Sequence, residues 1–248
     1  MKFHEFMHAL QPLLQPTGRS WFSVPELPAE LRQRVPNSEL SRWTRSGRLL
    51  RLRRELYAIS PAHGGRPLDP LEVANPLYQP SYISMTTALA YHGILDWSRV
   101  HDPHGWLKQV EPPDLVVSVT TRNTQRFRNT LGSYRYHHLN PELYWGYQSQ
   151  PLGTSWHPVA DPHKALFDLW YFHPIRWTPK LYDILQLATD TLNPLTLRSM
   201  CWTPHVPRRL YSAWLFWDQY WCAQQGIAWQ PHRTPHWFRV ESESSPDR

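Results

Sequence analysis

Val35-Pro-Asn-Ser-Glu-Leu-Ser-Arg-Trp-Thr-Arg-Ser-Gly-Arg-Leu-Leu-Arg-Leu-Arg-Arg-Glu-Leu-Tyr-Ala-Ile59 is the stretch that decides the reading of this chain. Pro36 stops whatever precedes it. Asn37 or Ser38 can accept from the free N–H groups of a new helix, and Glu39 in its first turn suits the positive end of the dipole. Leu40 and Trp43, spaced i and i+3, face inward, while Ser38, Ser41, Arg42 and Arg45 lie around the outer face. Gly47 ends the helix in a left-handed turn. Beyond it Leu50 and Leu52 alternate with Arg51 and Arg53, and Leu56, Tyr57 and Ile59 form a return strand after a turn near Arg54-Glu55.

The charge of this segment is local. Between Arg32 and Arg54 stand eight arginines and one acid, Glu39, for +7; the whole chain is +6, so the remainder sums to −1. A concentrated footprint of this kind points to phosphate. Upstream, Lys2 to Gln15 reads as a helix and Phe22 to Leu27 as a short one. Helix, short helix, recognition helix and basic β-ribbon inside sixty residues is the plan of a winged helix-turn-helix, in which the second helix of the pair enters the major groove and the wing grips the flanking backbone. On this plan Arg42 and Arg45, with Ser38 and Ser41, face the DNA. Arg48 follows them, and Arg51, Arg53 and Arg54 hold the backbone. Trp43 and Tyr57 belong to the core. The competing reading is a solvated arginine face on a small helical unit that docks a protein or RNA, an adaptor without a regulatory role.

With 248 residues, the chain has room for a unit at 1–60, a linker at 61–67 that begins Pro61-Ala-His-Gly-Gly, and a larger unit over 68–230. The stretch 231–248, ending Glu-Ser-Glu-Ser-Ser-Pro-Asp-Arg, reads as a flexible tail. Forty-one percent hydrophobic residues suffice for ordinary cores, and no apolar run approaches the roughly 20 residues of a membrane helix. The first residues lack the uninterrupted apolar stretch of a signal peptide, and only Cys201 and Cys222 occur, so a reducing cytoplasm and no membrane are expected. Both cysteines are expected to pack as small hydrophobes.

In the larger unit, Asp69-Pro70 opens a helix, and Ser84 can cap another that Gly93 terminates. Asp114 to Thr121 is a buried strand. Arg126–Asn129 and Ser133–His138 make a hairpin about Leu131-Gly132, and Tyr144–Gln148 pairs with Trp156–Val159. Asp161-Pro162 opens a further helix, and Pro207 to Gly226 reads as a long one with Leu210, Trp214, Trp217 and Trp221 on one stripe, either packed inward or used between two copies. The fold class is therefore α+β: an N-terminal winged helix-turn-helix, then a mixed α/β domain with antiparallel hairpins and a C-terminal helical segment.

The ordered series Ser41-Arg-Trp, Gly47-Arg-Leu-Leu-Arg-Leu-Arg-Arg-Glu-Leu-Tyr57, Val73-Ala-Asn75, Pro80-Ser-Tyr-Ile-Ser84, Ala88-Leu-Ala-Tyr-His-Gly93, Ser118-Val-Thr-Thr-Arg-Asn-Thr-Gln-Arg-Phe127, Leu131-Gly-Ser-Tyr-Arg-Tyr-His-His138 and Asp161-Pro-His-Lys-Ala-Leu-Phe-Asp168 resembles the AbiEi family of bacterial antitoxins and autoregulators. The resemblance covers roughly residues 1 to 175. It implies repression of the chain's own operon at inverted repeats, hence two copies on DNA, and it implies counteraction of a co-encoded nucleotidyltransferase toxin in a system linked to phage defence. Two departures stand out. Glu55 takes the wing-turn place that commonly holds glycine, which predicts a longer or differently shaped wing. Beyond Trp177 no family motif is found.

Outside the first sixty residues, Arg122, Arg126, Arg128, Arg135 and His137 form a second basic cluster, suited to nucleic-acid, nucleotide or toxin contact or, equally, to protecting a solvated hairpin edge. Strand alternation puts Tyr134 and Tyr136 on one face and Arg135 and His137 on the other. Fourteen histidines show no chelating spacing, and there is no Walker loop, dinucleotide fingerprint or Ser-His-Asp order. No catalytic residue, metal or cofactor is expected.

Overall fold

Helix α1 (Phe3–Leu14) supplies the first wall of a small core through Phe6 and Leu10. The computed structural model describes residues 1–203 and 205–230; the tail expected over 231–248 lies outside the described residues. The short helix expected over Phe22–Leu27 is instead strand β1 (Trp21–Ser23) followed by a 3-10 turn at Val24–Glu26, and the helix of this region is α2 (Ala29–Arg34). Trp21 and Phe22, both buried, need opposite faces of a sheet, which a helical turn does not offer.

Helix α3 (Asn37–Arg45) follows after Val35-Pro36. Pro36 itself takes the N-cap place, so neither Asn37 nor Ser38 caps the helix through its side chain. Gly47, at φ +70°, closes α3: its N–H donates to Thr44 O, and Arg48 N–H reaches Trp43 O, the two bonds of a Schellman turn. Strands β2 (Leu49–Arg53) and β3 (Leu56–Ile59) complete a three-stranded antiparallel sheet in the order β1-β3-β2. The β2–β3 ribbon has no lengthened turn: Arg54 and Glu55 alone make it, and Glu55 itself adopts φ +61°.

Two cores meet at this sheet. Phe22, Leu49, Tyr57 and Ile59 pack with Leu31, Leu40 and Trp43 in the small core, where the Trp43 ring lies 4.9 Å from Phe6 and 5.3 Å from Phe3. Trp21, Leu52, Leu56 and Ala58 on the other face join the large core. A bulge between Arg51 and Arg53 adds one residue to β2, so that Leu52 keeps the large-core side and Arg53 pairs with Leu56.

The segment 61–67, read as a linker, contains a 3-10 turn at Pro61–His63 and is tied at Arg66. The Arg66 guanidinium grips both carboxylate oxygens of Glu72, donates to Thr154 Oγ1 at 2.8 Å and to Gly18 O at 3.3 Å, while its backbone N–H donates to Ser20 Oγ. Burial raises the Glu72 pKa, but the Arg66 bonds and the Asp69 N–H outweigh it and the net shift is downward.

The large unit is built on a six-stranded mixed sheet, order β6-β7-β5-β4-β9-β8: β4 (Tyr82–Ile83), β5 (Leu115–Thr120), β6 (Gln125–Asn129), β7 (Gly132–His138), β8 (Tyr147–Leu152) and β9 (Ser155–Ala160). β5–β7 and β4–β9 run parallel and the remaining pairs antiparallel. Helix α4 (Pro70–Leu77), capped by Asp69, is anchored to β7 through the Tyr136 hydroxyl, which donates to Ala74 O at 2.5 Å. Helix α5 (Met85–Tyr91) packs on α6 (Pro162–Phe172), and α7 (Pro179–Leu185), α8 (Pro194–Cys201) and α9 (Arg208–Gln224) close the core. In α9, Leu210, Trp214 and Trp217 are buried against that core, as is Tyr211. Cys201 and Cys222 are buried free thiols, with Cys201 pushed up by burial. Ser84 precedes α5 but does not cap it through its side chain; its hydroxyl donates to Asp168 Oδ2 at 2.7 Å, where Tyr82 OH donates at 2.9 Å and Lys164 Nζ pairs with Oδ1 at 2.6 Å. Among the described residues no helix is long and apolar enough to cross a membrane.

Candidate nucleic-acid interface

Leu40 and Trp43, each 0% exposed, fix the rotation of α3, and that rotation puts Ser38, Ser41, Arg42 and Arg45 on solvent. Arg42 forms an ion pair with Glu39 one turn earlier, which holds its guanidinium along the helix. Arg45 has no acidic partner among the described residues. Arg48 is half-buried, its guanidinium 5.5 Å over the Phe3 ring. Arg51 is exposed opposite Tyr57, and Arg54 is 88% exposed with Glu55 4.0 Å away.

Arg53 departs from its expected place. The bulge turns it to the side of Leu56, and its guanidinium donates to Leu77 O at the end of α4, so it joins the two units before it meets any ligand. Arg122 Nη1 donates to Gln79 O at 3.1 Å and its guanidinium stacks 4.8 Å from the Tyr78 ring. One guanidinium from β2 and one from the β5–β6 connection thus meet the carbonyl end of α4 and the two residues after it. Asn129 Nδ2 donates to Leu52 O at 3.3 Å, bringing the edge strand β6 against β2. Arg126 and Arg128 are exposed on that edge.

The second cluster is divided. Arg135 and His137 turn from solvent to Glu111: Arg135 Nη1 lies 3.3 Å and His137 Nε2 3.0 Å from Oε1, and His173 Nε2 lies 2.7 Å from Oε2. Both ring nitrogens of His173 face oxygens, since Nδ1 meets Leu169 O at 3.0 Å, so the ring donates from both when protonated. Burial raises the Glu111 pKa, and the hydrogen bonds from His137 and His173 more than reverse it, holding the carboxyl well below the usual range. Arg135 and His137 are thus engaged by Glu111, each with part of its side chain still in water. Neither Glu111 nor His173 stood out in the sequence, because Glu111 sits in a proline-rich loop 24 residues before Arg135. Among the described residues no group of three or more His, Cys, Asp or Glu is placed to hold a metal ion.

The fold and this surface define an α+β protein with a mixed six-stranded sheet and a basic helix–ribbon unit at its N-terminus. No protein-family model and no curated protein matches the sequence. Among solved structures, the RV2827C protein from Mycobacterium tuberculosis is similar with a TM-score of 0.53 at 15% identity, over 90% of this chain and 78% of that one. At this identity the likeness speaks to the fold alone.

Proposed function

We propose that this chain is a cytoplasmic winged-helix autorepressor and antitoxin of AbiEi type. It binds operator DNA at inverted repeats upstream of its own gene as a homodimer and counteracts a co-encoded nucleotidyltransferase toxin. The observation that carries the reading is α3: its apolar positions are fully buried, its serine and arginine positions are exposed together, and a basic two-stranded ribbon with a two-residue turn follows at once. Arg42 and Arg45 read base edges, Ser38 and Ser41 support them, and Arg51 and Arg54 neutralise phosphates. Arg126 and Arg128 extend the same charge along β6. The toxin relation rests on the ordered sequence resemblance.

Titration of the purified chain against DNA from upstream of its own gene, with scrambled duplex and tRNA as competitors at several salt concentrations, tests the reading. Own-promoter DNA wins by roughly a hundredfold or more, with a log–log salt slope near −4.5 for about five phosphates. Arg42→Ala with Arg45→Ala costs about 2–6 kcal/mol of operator binding, at about 1–3 per base-reading arginine. Equal binding of all three nucleic acids, or unchanged affinity in the double variant, sinks it; preference for tRNA favours the adaptor.

A further inference from the structure

A cavity of about 750 Å³ lies where α5 meets the start of β5 and the β6–β7 turn. Its volume falls within the roughly 300–1,000 Å³ of small-molecule sites. Sheet register assembles one side: Arg128 stands opposite Ser133, and Ser133 opposite Leu115, so the three project from one face. Tyr91 and Trp97 line another part, and Asp114 another.

Two features mark this cavity as more than a gap in packing. Thr86 lines it from the first turn of α5. Met85, the residue that sets the entry of α5 and so aims Thr86, is buried and adopts φ +52°, a conformation an unbranched L-residue holds only when its surroundings impose it. Finally, Arg128 brings a cation that has no acidic partner among the described residues.

We propose that this cavity binds a nucleoside phosphate. The guanidinium of Arg128 takes the phosphate with Ser133 beside it; the Trp97 and Tyr91 rings carry the planar base; Asp114 and the Thr86 hydroxyl meet ribose or base-edge groups. An amino-acid zwitterion uses the Arg128–Asp114 pair but leaves the two aromatic rings without work. No residue of α3 or the wing lines the site, and Arg128 is the residue it shares with the basic surface of the operator reading.

The test is calorimetric titration of the full chain with AMP, GMP, CMP and UMP, with adenosine and inorganic phosphate as fragments. At least one monophosphate binds at one per chain, and its nucleoside and free phosphate bind at least about tenfold more weakly. Arg128→Gln, on an exposed edge strand and so without effect on folding by circular dichroism, weakens binding by about tenfold or more, as does Trp97→Leu. Arg51→Gln with Arg54→Gln leaves it unchanged. Absence of saturable binding up to about 10 mM, well past the millimolar scale of a weak site, overturns the proposal. So does binding indifferent to Arg128→Gln, or binding lost with the wing arginines, which locates the anion on the basic surface.

Discussion

Replacing Glu111 by Gln probes the part of the structure least expected from sequence. The carboxylate is fully buried and meets three basic side chains, of which Arg135 and His137 keep 26% and 18% of their surface in water. Removing one partner of a buried ion pair costs about 3–5 kcal/mol, and since two of the stranded groups can recover hydration, the lower end, about 3 kcal/mol at pH 7, is expected. The pH dependence carries a sign. The folded pKa lies below the ordinary glutamate value of 4.5, so as pH falls the unfolded chain takes up this proton first. The contribution of Glu111 is therefore fully present above about pH 4.5 and is lost as pH drops below it, by up to about 1.4 kcal/mol per pH unit. The glutamine of the variant takes up no proton, so the stability gap between wild type and variant narrows below about pH 4.5. Urea unfolding at pH 7, 5.5, 4.5 and 3.5 measures both. A gap under about 1 kcal/mol at pH 7, or one constant down to pH 3.5, refutes the reasoning.

Arg66→Met strands Glu72, which is 1% exposed, and is expected to cost about 3 kcal/mol and to hasten protease cutting near Gly64-Gly65; wild-type stability and cutting would show that Arg66 fastens nothing. Lys164→Met, leaving Asp168 in the interior with Tyr82 and Ser84, costs about 3–5 kcal/mol, and adding Asp168→Asn, which removes the charge but keeps an acceptor for both hydroxyls, recovers part of it. A double variant less stable in urea than the single one contradicts that. Glu55→Gly relieves a left-handed glutamate, so stability rises by about 0.5–1 kcal/mol, and under the proposed operator reading the loss of an acid from the β2–β3 turn raises affinity with it; a lower midpoint in urea would mean that the turn is held by something other than backbone preference.

Legibility followed the range of the interactions. Helix α3 was readable because Leu40, Trp43 and Gly47 act within three turns, and β5 because its apolar run is contiguous. Helix α2 was hidden: at six residues with a proline at its N-cap it shows too little period, and Phe22-Ser-Val mimics one helical turn. Helices α7 and α8 left a similarly short trace. The bulge between Arg51 and Arg53 could not be foreseen from alternation, which puts Arg53 on the same face as Arg51; with it went the role of Arg53. The same holds for Arg135 and His137, whose facing was predicted but whose acceptor, Glu111, lies on a loop without pattern. Ser84 looked like a cap because its partner Asp168 is 84 residues away.

Strand β3 is four residues long and buried throughout, with Tyr57 and Ile59 given to one core and Leu56 and Ala58 to the other. The first sixty residues are thus not an exchangeable head. A fragment ending at Ser60 would carry Trp21, Leu52, Leu56 and Ala58 as an open greasy wall, and a graft of this head onto a foreign body would need that body to present a matching apolar seat and a carbonyl for Arg53. Sequence drift on either side of this strand must answer to the other, so the head and body are bound to change as a pair.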